Sequence, residues 1–93
     1  MTYRTKWMVP DFRRDPKTDC YCEMCQRDLK PGQPHRHVMY ELDRYEAVHS
    51  DDWEIAAIDI IARRAPHLSS VVTGEIGMDC AKRLGLEFSR QAP

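Results

Sequence analysis

Polar and apolar residues alternate from residue 36 to residue 49, which is the pattern of a half-buried β-strand. Apolar side chains recur at Val38, Tyr40 and Leu42, two residues apart. Because successive side chains of a strand point to opposite faces, these three share one face. Residues 43–44 are placed to form a turn, so the segment predicts a β-hairpin.

A helical period replaces the alternation over residues 51–65. Asp51 followed by Glu54 resembles a capping box, and Pro66 ends the pattern because proline cannot continue a helix. The segment therefore predicts the main helix, with Asp51 as its N-cap. Its predicted apolar face consists of Trp53, Ile55, Ala57, Ile58, Ile61 and Ala62.

Shorter elements follow towards the C-terminus. Residues 70–73 include three β-branched side chains, which favours a short strand. Gly74 and Gly77 bracket a predicted turn. Residues 78–84 predict a short helix that ends at Gly85, since glycine is the usual residue just after a helix.

The positions of the prolines and of the periodic segments divide the chain into three parts. Residues 1–19 carry two prolines and no period, and predict an extended N-terminal arm. The domain is predicted over residues 20–88, and residues 89–93 as a frayed tail. These elements define a small α+β fold.

A chain of 93 residues buries a modest share of its surface, so a domain of this size often needs a disulfide or metal staple. No apolar stretch is long enough for a signal peptide or a membrane span, which predicts a cytoplasmic protein. Thiols stay reduced in the cytoplasm, and the four cysteines there favour a metal over disulfides.

The net charge of −1 excludes a strongly basic nucleic-acid-binding protein, but the charges are unevenly spread. Residues 37–62 hold seven acidic residues against one arginine, and both flanking segments are mildly basic. The acidic set is most simply a solvated surface and a helix cap.

Cys22 and Cys25 form a C-x₂-C pair, a spacing that lets two sulfurs face one ion. Such a pair also occurs in redox proteins, but Pro31 and Gly32 follow it here and no βαβ unit is visible. Cys80 lies at the start of the predicted C-terminal helix, where the free N–H groups stabilise a thiolate.

The order of these features resembles small treble-clef or zinc-ribbon-like proteins of bacteria and phages. The resemblance rests on the C-x₂-C pair, the Pro31-Gly32 turn, the hairpin and the sequence from Gly77 to Ala81. It implies a cysteine knuckle at residues 22–25 and a closing cysteine at a helix start, hence Cys22, Cys25 and Cys80 as ligands of one structural Zn²⁺. Gln26 and Arg83 depart from the family pattern, which often has glycine and a fourth ligand at these places.

The fourth ligand must come from elsewhere, and His49, between the hairpin and the main helix, is the first choice. His35 and His37 lie nearer the knuckle and are alternatives, as is Cys20, which offers a Cys₄ set. His67 is predicted to be a surface histidine.

Two functions fit this zinc-stapled fold of knuckle, hairpin, main helix and short C-terminal helix. The first is a protein-interaction adaptor that displays the acidic hairpin–helix surface and the arm. The second is a small nucleic-acid-binding zinc finger that uses its arginine-rich ends. We find none of the catalytic motifs, such as a phosphate loop or H-E-x-x-H, and expect no enzymatic activity.

Overall fold

The computed structural model of the protein describes residues 3–11, 15–42, 44–63 and 71–92, with residues 60–63 given by their backbone alone. Over these ranges the fold is α+β, as predicted, with one antiparallel sheet and two α-helices. The strands are β1 (Thr5–Trp7), β2 (His35–Glu41), β3 (Glu46–Val48), β4 (Val71–Gly77) and β5 (Arg90–Gln91). The helices are α1 (Trp53–Arg63) and α2 (Met78–Leu84), and 3-10 turns lie at Ser50–Asp52 and Leu86–Phe88.

Strand β2 is the centre of the sheet, whose order is β1-β3-β2-β4. One side of β2 pairs along its whole length with β4, from His35 opposite Gly77 to Glu41 opposite Val71. Its other side pairs first with β5 and then with β3, so β2 is flanked on both sides.

The predicted hairpin is confirmed. Strands β2 and β3 are antiparallel, with Tyr40 opposite Ala47 and Glu41 opposite Glu46. The Tyr45 N–H donates to the Glu41 carbonyl at 2.8 Å, which helps close the connection. Asp43, the first residue of the predicted turn, lies outside the described residues.

The main helix is confirmed, but its start and its buried face differ from the prediction. A 3-10 turn at Ser50–Asp52 precedes α1, and the His49 side chain, not that of Asp51, caps it. Among the described side chains of α1, Trp53, Ala56 and Asp59 are buried, whereas the predicted face residue Ile58 is 54% exposed. The side chains of Ile61 and Ala62, also predicted on that face, lie outside the described part of the helix. The stripe that faces the sheet therefore runs every three residues from Trp53.

Strand β4 is longer than predicted, and the turn expected between Gly74 and Gly77 does not form. Both glycines lie within a continuous strand that leads directly into α2. A Cβ atom built on Gly74 would lie 2.6 Å from the Glu23 side chain, so this glycine lets the knuckle approach β4 closely. The predicted helix over 78–84 is confirmed, and Gly85 follows it with a left-handed φ of 111°.

The predicted arm and the predicted tail each contribute a strand to the sheet. In the predicted arm, β1 pairs with β3, and Met8 is completely buried beside it. The prediction of a frayed tail is wrong for residues 89–91, because β5 pairs with β2 and Ser89 is buried. Ser89 Oγ accepts a hydrogen bond from Arg36 Nε at 2.7 Å, which holds the tail against β2.

Two apolar clusters stabilise the fold. The larger contains the buried cysteines of the knuckle and α2 together with residues such as Met8, Val38 and Ile76. The smaller joins Val48 to Trp53 and Ala56 of α1. In the part of the chain that the structure describes, neither helix has the length and apolar character needed to cross a membrane.

Candidate metal centre

The C-x₂-C pair forms a tight turn. The Gln26 N–H donates to the Cys22 carbonyl at 2.7 Å, and the Cys22 N–H donates to the Arg27 carbonyl at 2.9 Å. Gln26 adopts a φ of 61°, a left-handed conformation that favours glycine. Gln26 therefore adopts the same left-handed backbone conformation that a glycine would adopt at this position of the turn.

Helix α2 brings the third cysteine to this turn. Strand β4 leads straight into the helix, so Cys80 lies in its first turn. The sulfur atoms of Cys22, Cys25 and Cys80 lie within 4.8 Å of one another. Cys22 and Cys80 are buried, and Cys25 is half-buried. The structure thus brings together the three cysteines that the sequence singles out.

The donor set fits a zinc ion in chemistry and in spacing. Zinc binds thiolates at about 2.3 Å, which places tetrahedral sulfurs about 3.8 Å apart. The three sulfurs, all within 4.8 Å of one another, are close enough to surround a single ion. All four cysteines of the chain are free thiols, so no disulfide competes for these sulfurs.

The surroundings of Cys25 and Cys80 shift the pKa values of these two thiols in opposite directions. Burial opposes ionisation of Cys25, but hydrogen bonds from the Arg27 backbone and the neighbouring thiols outweigh it and lower its pKa. Burial raises the pKa of Cys80 to about 12, and the adjacent Cys22 adds to the rise although the Arg83 guanidinium opposes it. A second or third thiolate in this space needs a nearby cation, which a dication supplies.

Two charged residues beside the cysteines were not predicted as part of the site. Arg83 donates from Nη2 to Cys80 Sγ at 3.1 Å. That hydrogen bond raises the pKa of Arg83, and the charge of Asp11 raises it further. Asp11 lines the same cavity of about 250 Å³ as the three cysteines, and its N–H donates to the Met24 carbonyl at 2.8 Å. No sequence motif identifies Asp11, because only the course of the arm in space brings it to the cavity of the cysteines.

His49 is not with the cysteines, so the structure does not support it as the fourth ligand. Its Nδ1 accepts the Asp51 N–H at 3.2 Å and lies 3.2 Å from Arg4 Nη2. Its ring also packs edge-on against Phe88, with 5.4 Å between ring centroids. The position between hairpin and helix makes His49 a cap, because the adjacent 3-10 turn leaves an unpaired N–H there.

The alternative ligands are likewise elsewhere. Cys20 Sγ donates to Glu75 Oε2 at 2.7 Å, a hydrogen bond that raises the pKa of Cys20. One ring nitrogen each of His35 and His37 lies within 4.8 Å of the other and of a Glu75 oxygen, which makes a separate group. His67 lies outside the described residues.

Comparison with protein-family models, with curated proteins and with solved structures gives no match to this chain. The likeness to treble-clef and zinc-ribbon-like proteins therefore rests on the residues of the chain itself.

Proposed function

We propose that the protein is a non-catalytic zinc-binding module in which one structural Zn²⁺ joins the knuckle to α2. The observation that carries the proposal is the convergence of three cysteines from two separate elements. Two of these sulfurs belong to buried residues, and burial is typical of structural zinc sites, which are closed. The four free thiols suit the reducing cytoplasm, which we propose as the location of the protein.

We propose Asp11 as the fourth ligand, in place of His49. Asp11 lines the cavity of the cysteines and is half-buried, and its backbone is tied to the knuckle at Met24. Its carboxylate lies outside the group of three sulfurs that are within 4.8 Å of one another, so it would have to turn toward them to bind the ion. A carboxylate oxygen is an accepted zinc ligand at about 2.0–2.2 Å. In this arrangement Arg83 remains beside the site and donates to the Cys80 thiolate, as partners of metal ligands commonly do.

Zinc competition titrations test the ligand set. We expect the serine variants of Cys22, Cys25 and Cys80 to lose zinc at a chelator concentration that leaves the wild type loaded. Asp11→Asn should bind zinc clearly more weakly than the wild type and remain folded, since three thiolates are left. The matched control is Asp15→Asn, an exposed carboxylate on the same arm. Equal zinc affinity in Asp11→Asn and Asp15→Asn contradicts the assignment of Asp11, and zinc retention by the serine variants contradicts the site.

We further propose that the module is a protein-interaction adaptor that binds its partner through the arm. Trp7 is 57% exposed and Val9 is 58% exposed, and Trp7 belongs to β1 at the edge of the sheet. Aromatic side chains with large exposed areas are typical anchors of protein interfaces. An edge strand also offers unpaired backbone groups to an incoming strand.

The acidic hairpin–helix surface is a weaker candidate for this contact, because several of its carboxylates are paired within the chain. Glu41 accepts a hydrogen bond from the Tyr3 hydroxyl at 2.6 Å, and Glu46 accepts one from the Thr5 hydroxyl at 2.7 Å. Asp52 is paired with Arg4 at 3.0 Å. The arm therefore neutralises part of the acidic block that the sequence displays.

Nucleic-acid binding is the alternative role, and it is favoured by exposed basic residues on the knuckle segment and on α2. These residues are Lys17, Arg27, Lys30, Lys82 and Arg83. Arg27 and Arg83 line the cavity of the cysteines, although Asp11 and Asp79 line it too. The mixture of signs makes this the second candidate.

One set of variants separates the two roles. We expect Trp7→Ser combined with Val9→Ser to keep zinc but lose the proteins that the wild-type chain retains from its native cell. Arg27→Gln combined with Lys30→Gln is the comparison, because it leaves the Arg83 contact with Cys80 intact, and it should retain those proteins. Binding of the wild type to single-stranded DNA or RNA that weakens steeply with salt, and is lost in this basic-residue variant alone, favours the nucleic-acid role instead.

A further inference from the structure

A second group of metal-ligand side chains lies on the sheet, apart from the cysteines. Strand β2 carries His35 and His37 two residues apart, so both side chains point to one face. On the neighbouring strand β4, Glu75 lies directly opposite His37 in the antiparallel register. Directly opposed residues have Cβ atoms about 4.5–5.5 Å apart, which places the carboxylate beside the imidazoles.

The side chains converge as this register requires. One ring nitrogen of each histidine and one oxygen of Glu75 lie within 4.8 Å of one another, and all three residues are half-buried. We propose that His35, His37 and Glu75 bind a second, exchangeable divalent transition-metal ion such as Zn²⁺, Co²⁺ or Ni²⁺. Two imidazoles and a carboxylate suit such ions, and three protein ligands leave a position open to water or a small ligand.

The surroundings of the three residues orient them as those of metal ligands usually are. His35 Nδ1 lies 2.9 Å from the Gln33 carbonyl oxygen, so Nδ1 carries the proton and Nε2 is left to bind an ion. Glu75 Oε2 accepts the hydrogen bond of the Cys20 thiol at 2.7 Å, which fixes the carboxylate. Ligating histidines and carboxylates are commonly held in this way by a carbonyl or a donor.

The site is open to solvent on one side. His37 and Glu75 line a cavity of about 430 Å³ together with Cys20 and Thr73, so an ion has a route of entry. The two ligand strands pair along seven residues, and this rigid frame keeps the three donors in register. Because this site is open and has only three protein ligands, we expect its ion to exchange readily. We expect the ion at the buried cysteines to be retained.

Paramagnetic titration of the whole chain tests this inference. Co²⁺ or Ni²⁺ is added to protein that carries one equivalent of zinc, and the ring signals of the four histidines are followed by NMR. We expect the signals of His35 and His37 to broaden first, while the ring of His49 stays sharp until higher ion concentrations. The measurement is made on histidines, so its result does not depend on whether the cysteines hold zinc.

Variants locate the ion. His37→Gln and Glu75→Gln should each weaken Co²⁺ binding at least tenfold, and His49→Gln should leave it unchanged. Cys20→Ala should weaken binding about tenfold, and Cys20→Ser should weaken it less, because a hydroxyl can still donate to Glu75. Zinc at the cysteines and the circular dichroism spectrum report whether each variant is folded. Co²⁺ binding that persists unchanged in folded His37→Gln and Glu75→Gln, or broadening of all four histidines alike, overturns the proposal.

Discussion

His49 and Cys80 both lie at the start of a helical element, but their side chains have different partners. The imidazole of His49 accepts the N–H of Asp51 and packs against Phe88, so it stabilises the chain by capping. The sulfur of Cys80 faces the other two cysteines from the first turn of α2. The same location beside a helix start therefore serves capping in one case and the proposed metal binding in the other.

The two roles predict different losses when each side chain is removed. His49→Ala should lower the free energy of unfolding by about 1 kcal/mol, the usual cost of a lost helix cap. Its zinc affinity should equal that of the wild type, because no bond to the ion is removed. Denaturant unfolding and competition with a chromophoric chelator measure these two quantities.

Cys80→Ser is the comparison for His49→Ala, and it should lose zinc outright. If His49→Ala releases zinc as readily as Cys80→Ser, the histidine is a ligand after all and Asp11 is not.

At the scale of elements, the knuckle is joined to strand β4. The Glu23 N–H donates to the Glu75 carbonyl at 2.8 Å, and Glu23 Oε2 accepts from the Tyr40 hydroxyl at 3.0 Å. Gly74 makes room for this contact, since a Cβ there would collide with the Glu23 side chain. The knuckle is therefore held in place by the sheet as well as by its own turn.

This contact predicts that the two glycines of β4 respond differently to a methyl group. Gly74→Ala should destabilise the protein by about 1–3 kcal/mol, because Glu23 must move out of a packed position. Gly77→Ala is the matched control, since its Cβ would meet the nearest side-chain atom at an ordinary 3.7 Å. Thermal unfolding of both zinc-loaded variants measures the difference, and equal melting temperatures contradict the proposed docking of the knuckle.

The arm and the start of α1 are joined by an ion pair with a defined pH dependence. Hydrogen bonds from the Arg4 side chain and backbone N–H lower the pKa of Asp52. An unfolded aspartate titrates near about 3.9. Because the folded pKa is lower, the stabilisation is complete above that value and is lost as the pH falls through the folded pKa.

Asp52→Asn should therefore be less stable than the wild type at pH about 7, with a difference that shrinks as the pH falls below about 4. Asp51→Asn is the control, because the Asp51 side chain is 78% exposed and lies 3.9 Å from Arg4. Denaturant unfolding at a series of pH values measures the effect. A difference for Asp52→Asn that stays constant down to pH about 2 would show that its carboxylate charge contributes nothing.

For the whole molecule, the elements that the sequence predicts well are those with a local signal. The hairpin has alternation in β2, and α2 has Gly85 to end it, so both were placed correctly. The short strands β1 and β5 have three and two residues, too few for a period, and only pairing with distant strands defines them. Gly74 and Gly77 suggested a turn, because a glycine can indicate either a turn or a close contact. The contact of Gly74 with the knuckle is not visible in the sequence.

The candidate site divides in the same way. The spacing of Cys22 and Cys25 and the helix start at Cys80 are local features, and the structure does bring these sulfurs together. A fourth ligand depends on where the chain passes in space, which spacing does not determine. For that reason position along the chain favoured His49, whose ring has other partners in the structure, and gave no sign that Asp11 lines the cavity of the cysteines.

Removal of the metal should affect the whole fold. Structural zinc in small domains has an apparent binding free energy of about 10–16 kcal/mol at neutral pH. The total stability of a typical domain is about 5–15 kcal/mol, so the proposed ion contributes a comparable amount. We expect a strong chelator to abolish the cooperative thermal transition, and added Zn²⁺ to restore it. An unchanged transition after verified metal removal contradicts a structural role.

The most direct test of the zinc assignment is native mass spectrometry of protein purified without added metal and dialysed against a weak chelator. We expect the mass of one retained Zn²⁺ per chain in the wild type and none in Cys80→Ser, with any ion at His35, His37 and Glu75 exchanged away. Cys22 and Cys25 should resist alkylation until the zinc is removed. A folded, metal-free wild-type chain whose Cys22 and Cys25 are alkylated at once would contradict the account.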